Sequence, residues 1–215
     1  MIAKLQSIAH VLSVGRLHLL SAFTVLVGAS AFGQTSATRA DLPSVQVGDR
    51  WKYEQSDRRS GVKQADIERI LTAVSASQIE GTENGGRLVL TPELNTIESP
   101  VLVPKGEAKF LSFPLEVGKK WESKYSFTNK QNGIQARWQF EANVVAVERI
   151  KEPAGEFEAF KIEYKGYWNN DTTGGNGALK LTGWYAPAAR NIVRFELADG
   201  YNYWVRHLVE FQVRP

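Results

Sequence analysis

The stretch "FKIEYKGYW", Phe160–Trp168, decides the fold. Phe160, Ile162, Tyr164, Gly166 and Trp168 alternate with Lys161, Glu163, Lys165 and Tyr167. A period of two, apolar on one side and polar on the other, belongs to a half-buried strand rather than a helix. The same period recurs downstream. Val193, Phe195 and Leu197 alternate with Arg194 and Glu196. Tyr201, Tyr203, Val205, His207, Val209, Phe211 and Val213 read as one apolar stripe, against Trp204, Arg206, Leu208 and Glu210. Asn132-Gly133 and Asp199-Gly200 supply the positive φ that tight hairpins need, and Asn84-Gly85-Gly86 marks a further turn. Pro153-Ala154-Gly155 opens the strand that holds the quoted stretch, and "NNDTTGGNG" (Asn169–Gly177) is a longer polar loop. Further upstream, "VKQADIERILTAVSASQIE" has a possible helical stripe at Ala65, Ile67, Leu71 and Val74, but its Ser and Thr punctuation and its neighbours favour strands. The expectation is all-β, with about nine or ten strands: a single antiparallel meander domain forming a strongly curved sheet, a sandwich or a partly open barrel.

One pentapeptide occurs nearly twice, "VGDRW" at Val47–Trp51 and "VGKKW" at Val117–Trp121. Each follows a proline (Pro43, Pro114) and feeds an alternating strand: Trp51, Tyr53, Gln55 in one, Trp121, Ser123, Tyr125, Phe127 in the other. The glycine permits a sharp reversal, and the tryptophan then closes one end of the core. Little else matches between the two regions. The reading is therefore one structural device used twice, not a repeated binding element.

The first 33 of 215 residues have the grammar of a secretory signal peptide. Lys4 and Arg16 precede an apolar run, Leu17–Val27, and small residues follow, with cleavage expected near Ala31 or Gly33. Residues 34–44, containing Pro43, read as a flexible linker, and 45–215 as one all-β domain. The leader holds two of the 26 basic residues and none of the 23 acidic ones, so the remainder is near neutrality. No clustered basic face argues for nucleic acid. No stable transmembrane segment is expected once the leader is removed. Cysteine is absent, so no disulfides brace the domain.

The inventory also limits chemistry. Outside the leader there is one histidine, His207, and no thiol. No metal site of the His or Cys type can be assembled, no cofactor is implied, and a Ser-His-Asp arrangement has one possible imidazole. Glu156, Glu158 and Glu163 lie on or near one strand, but Glu158 and Glu163 fall on opposite faces. No catalytic residue is assigned. The six tryptophans and the late tyrosines offer more, because exposed aromatics cover apolar ligands or stack on sugars. Tyr167, Trp168, Trp184, Tyr185, Trp204 and His207 are the candidate ligand-binding residues.

Three pieces in order carry a resemblance: "FPLEVGKKW", "EPAGEFEAFKIEY" (Glu152–Tyr164) and "GWYAPAARNIVRFE" (Gly183–Glu196). This order resembles exported bacterial proteins of unknown function, the TapB-like or domain-of-unknown-function 3108-like group. Asn191 stands where that group usually has glycine. The resemblance implies a periplasmic or cell-envelope β-protein and brings no reaction with it. The expected function is a non-catalytic binding protein for an apolar or amphipathic ligand or an envelope partner. The alternatives are a carbohydrate-binding module or weak glycan hydrolase, and a structural subunit that pairs by a sheet edge.

Overall fold

The computed structural model describes residues 38–214. The leader expected over 1–33, its cleavage near Ala31 or Gly33, and residues 34–37 of the expected linker lie outside them. Among the described residues the strands are β1 (Arg39–Ala40), β2 (Arg50–Asp57), β3 (Lys63–Val74), β4 (Ile79–Glu83), β5 (Gly86–Leu90), β6 (Thr96–Glu98), β7 (Leu102–Glu107), β8 (Leu115–Glu116), β9 (Lys120–Asn129), β10 (Gln135–Glu152), β11 (Gly155–Asn170), β12 (Asn176–Ala186), β13 (Asn191–Ala198) and β14 (Tyr203–Gln212). A single 3-10 turn, Pro187–Ala189, precedes β13. The segment with the possible helical stripe forms β3 and β4. The strand count exceeds the expectation mainly because β1, β6 and β8 are too short to show a period.

The protein is all-β. Twelve strands form one antiparallel sheet in the order β6-β5-β4-β3-β2-β14-β13-β12-β11-β10-β9-β7. Two meanders, β2–β6 and β9–β14, join where β2 pairs with β14. The two outermost strands, β6 and β7, are joined by the turn Ser99-Pro100-Val101. Ser99 N–H donates to the Leu102 carbonyl, and Lys130 N–H to that of Val101, both at 2.8 Å. Lys130 also pairs with Glu98 at 2.8 Å. The sheet is thus nearly closed into a barrel. The described end of the expected linker is tied in: β1 pairs with β8 through Arg39↔Glu116 and Ala40↔Leu115.

The two VG-x-x-W stretches make the same turn. Gly48 and Gly118 have φ of 90° and 92°. Asp49 N–H donates to the Gln46 carbonyl, and Lys119 N–H to that of Glu116, both at 3.0 Å. Each glycine N–H donates to a neighbouring strand, to Leu71 on β3 or Val144 on β10, both at 2.8 Å. Each following tryptophan donates its indole N–H to a carbonyl of non-strand chain: Trp51 to Ala189 (2.7 Å), Trp121 to Lys109 (2.9 Å). Buried indoles need such partners.

One strand corrects the sequence reading. A bulge lies between Leu208 and Glu210 of β14. An extra residue there reverses the alternation. The inner phase is therefore Trp204, Arg206 and Leu208 before the bulge and Phe211 after it. Trp204 pairs with Leu197, and Arg206 with both Phe195 and Gln55, so these share the inner face. His207 pairs with Arg194 on the outer face. The stripe through Val205, His207 and Phe211 was two phases read as one.

The segment between β7 and β8 packs into the barrel instead of passing over its surface. Ala108, Leu111 and Ser112 are buried. Side chains satisfy its backbone: Asn95 Oδ1 accepts from Phe110 and Leu111 N–H, both at 2.8 Å, and Ser123 Oγ accepts from Lys109 N–H at 3.0 Å. Tyr164 OH donates to the Phe110 carbonyl at 2.7 Å. Backbone withdrawn from water needs such pairing.

Candidate functional site

Phe110 is the hub of the interior. Its ring meets Tyr125 at 6.2 Å, Phe140 at 5.3 Å, Tyr164 at 5.8 Å and Phe195 at 5.8 Å between centroids. Ring contacts continue from Tyr125 to Phe127 and Trp138, and from Phe195 to Trp204 at 5.9 Å. Phe140 and Tyr164 are buried, whereas Phe127, Trp138, Phe195 and Trp204, which also face inward, are only partly buried against the core. The core that Phe110 packs against also contains Trp51, Leu71 and Tyr185. These partly buried rings lie in the cup, the concave side of the nearly closed sheet.

One wall of the cup is charged. Arg206 on β14 lies over the Trp204 ring, 5.3 Å from its centroid. Its Nη2 donates to Gln55 Oε1 at 2.9 Å. Gln55 Nε2 donates in turn to Gln64 Oε1 at 3.2 Å, which orients the amide. Arg69 on β3 pairs with Glu83 on β4 through Nε (2.7 Å) and Nη2 (2.6 Å). Burial, then repulsion from Arg69, lowers the Arg206 pKa to about 10. Tyr53 in the same cluster is pushed up to about 12, by burial against the opposing pull of the two arginines.

The outer face carries a second polar cluster. The tip of the β10–β11 hairpin docks on β14 through Ala154 N–H to the Leu208 carbonyl at 3.1 Å. Docking places the Glu152 side chain, 0% exposed, between Arg194 and His207. His207 Nδ1 donates to Glu152 Oε2 at 2.7 Å. Arg194 Nε sits 2.8 Å from Oε1, near enough for an ion pair but not aligned as a hydrogen bond. Arg194 also stacks on Trp184, whose indole N–H donates to Glu148 at 2.5 Å. The carboxylate partner of His207 is thus Glu152. The cluster fastens the hairpin tip.

The six sequence candidates scatter over these surroundings. Trp204 lines the cup. Trp184 and His207 meet through Arg194 on the outer face. Trp168 is buried, donates to the Asp199 carbonyl at 2.8 Å and stacks edgewise on Tyr201. Tyr185 is buried against Phe113. Tyr167 stands outside, 70% exposed. Sequence reading missed Arg206, Phe195 and Phe110 as cup residues. The signal for Arg206 was present, since an arginine two positions from a tryptophan shares its strand face. Among the described residues, no group of three or more His, Asp or Glu side chains could hold a metal, and no helix is long and apolar enough to cross a membrane.

No family model matches the chain, so the TapB-like resemblance gains no support there. No curated protein matches it either. Solved structures do. A candidate lipoprotein from Parabacteroides distasonis matches with a TM-score of 0.56 at 15% identity, over 80% of this chain and 99% of that one. A candidate exported protein with a YmcC-like fold from Bacteroides fragilis matches with a TM-score of 0.57 at 16% identity, over 80% and 99%. This chain has their fold. At such identities the likeness extends no further.

Proposed function

We propose that the protein is an exported, non-catalytic envelope protein that binds an apolar or amphipathic small molecule in the cup. One observation carries this reading: the ring series Phe110–Phe195–Trp204 ends in aromatics on an inward-facing wall that are only partly buried. Apolar surface left wet on a concave face is stabilised by an apolar occupant, at about 25 cal/mol per Å² covered. Export is supported by the leader grammar of residues 1–33 and by the exported and lipoprotein descriptions of the two fold relatives. The test is titration with N-phenyl-1-naphthylamine, an uncharged probe that fluoresces in apolar surroundings. Saturable binding is expected. Trp204→Ala should weaken it about tenfold, a loss near 1.4 kcal/mol. Tyr167→Ala, on the outer face, should leave it unchanged. Absence of saturable binding, or equal loss in both variants, would contradict the cup.

A further inference from the structure

The charge of the cup is unbalanced, and this inference rests on the cup being the binding site. Glu83 is engaged by Arg69 through two contacts. Arg206 has a neutral partner, Gln55, and its Nε is sealed from solvent with no hydrogen-bond partner. Two guanidiniums, Arg69 and Arg206, thus share one nearby carboxylate, Glu83, and a guanidinium taken from water without a counter-charge of its own is costly to the fold. With its pKa at about 10, Arg206 still carries that charge at neutral pH. Tyr53, the neighbouring phenol, directs its hydroxyl hydrogen to the Ile192 carbonyl at 3.1 Å and brings no formal negative charge to the cluster at neutral pH.

We propose that Arg206 is the head-group site of the cup, and that its ligand is an amphipathic anion: one carboxylate, sulfonate or phosphate ester on an apolar body lying against Phe195 and Trp204. The guanidinium N–H groups that Gln55 leaves free supply the charged donors that grip an oxyanion. Gln55 holds the guanidinium in place, and Trp204 supplies the adjoining apolar surface. The ligand's charge would fill the place that Glu83 fills for Arg69.

The test compares two probes sharing an arylaminonaphthalene body on the full chain: N-phenyl-1-naphthylamine, uncharged, and 1-anilinonaphthalene-8-sulfonate, anionic. The wild type should bind the sulfonate about tenfold more tightly, as a charge-assisted contact predicts. Arg206→Gln should abolish that preference and leave the uncharged probe within about twofold, while Arg206→Lys should retain part of it. Glu83→Gln should strengthen sulfonate binding by freeing Arg69, a change of opposite sign that does not depend on the Arg206 variants folding. Dodecanoate and dodecyl phosphate should each displace the sulfonate well below the concentration of dodecanol required, and their order identifies the preferred head group. If the uncharged probe fails to bind the wild type, the cup itself is refuted. If it binds normally but the wild type shows no sulfonate preference, or Arg206→Gln keeps it, the head-group assignment is overturned and the cup stands.

Discussion

Tyr53, Tyr125, Tyr164 and Tyr185 bury their phenols, and desolvation raises the pKa of each above the ordinary value of 10. A phenol whose folded pKa is raised contributes stability that is intact below pH 10 and lost as pH climbs through its folded value. Arg206 acts in the opposite sense: its lowered pKa costs stability at neutral pH, and that cost is relieved between about 10 and 12.5. Four phenols outweigh one guanidinium, so the protein should unfold in alkali above about pH 10, with these tyrosines ionising only as it unfolds. Phenolate absorbance tracked beside circular dichroism checks this; full ionisation of all the tyrosines with the β signal intact would refute it. Tyr164→Phe should cost about 1–2 kcal/mol, read from urea midpoints, because the buried Phe110 carbonyl loses its donor.

The paired turns and the long hairpin carry the element-scale predictions. Gly118 has open space where a Cβ would lie, so Gly118→Ala isolates backbone strain at φ 92°, and should cost about 1–2 kcal/mol in the urea midpoint. A smaller loss than at an exposed strand position would contradict the turn. Glu152→Ala should cost about 2–3 kcal/mol, because Arg194 and His207 then face each other without the carboxylate. Amide exchange should accelerate at the β10–β11 tip and leave β4–β5 unchanged; uniform acceleration would argue against a local clamp. Such elements were largely legible in the sequence. Alternation at Phe160–Trp168 gave the face of β11 correctly, and Asn84-Gly85 forms the two-residue turn with φ of 50° and 79°. The bulge in β14 was not legible, because an extra residue changes phase without changing composition. Nor was the inward path of 108–114, whose backbone is satisfied by side chains distant in sequence, Asn95, Ser123 and Tyr164 among them.

At the scale of the whole molecule, near-closure of one twelve-stranded sheet gives a convex outside and a concave inside, and the Phe110 segment fills part of that interior. The all-β class followed from periodicity alone, but the location of the cup did not. It depends on which phase of each strand points inward, and for β14 one shifted residue decides that. Hence Trp204 stood among the sequence candidates while Arg206, beside it in the cup, did not. Tyr167, Trp168, Trp184 and Tyr185 share aromatic character with Trp204, but the closed sheet spreads them among the outside, the packed interior and the fastening of the hairpin. The central claim is an accessible cup that takes an apolar body and an anionic head. The most direct measurement is native mass spectrometry of protein purified without detergent from its own cells, wild type beside Trp204→Ala. The account predicts a small amphipathic anion retained by the wild type and depleted in the variant. A bare wild-type mass after incubation with dodecanoate, or equal retention by both proteins, would contradict it.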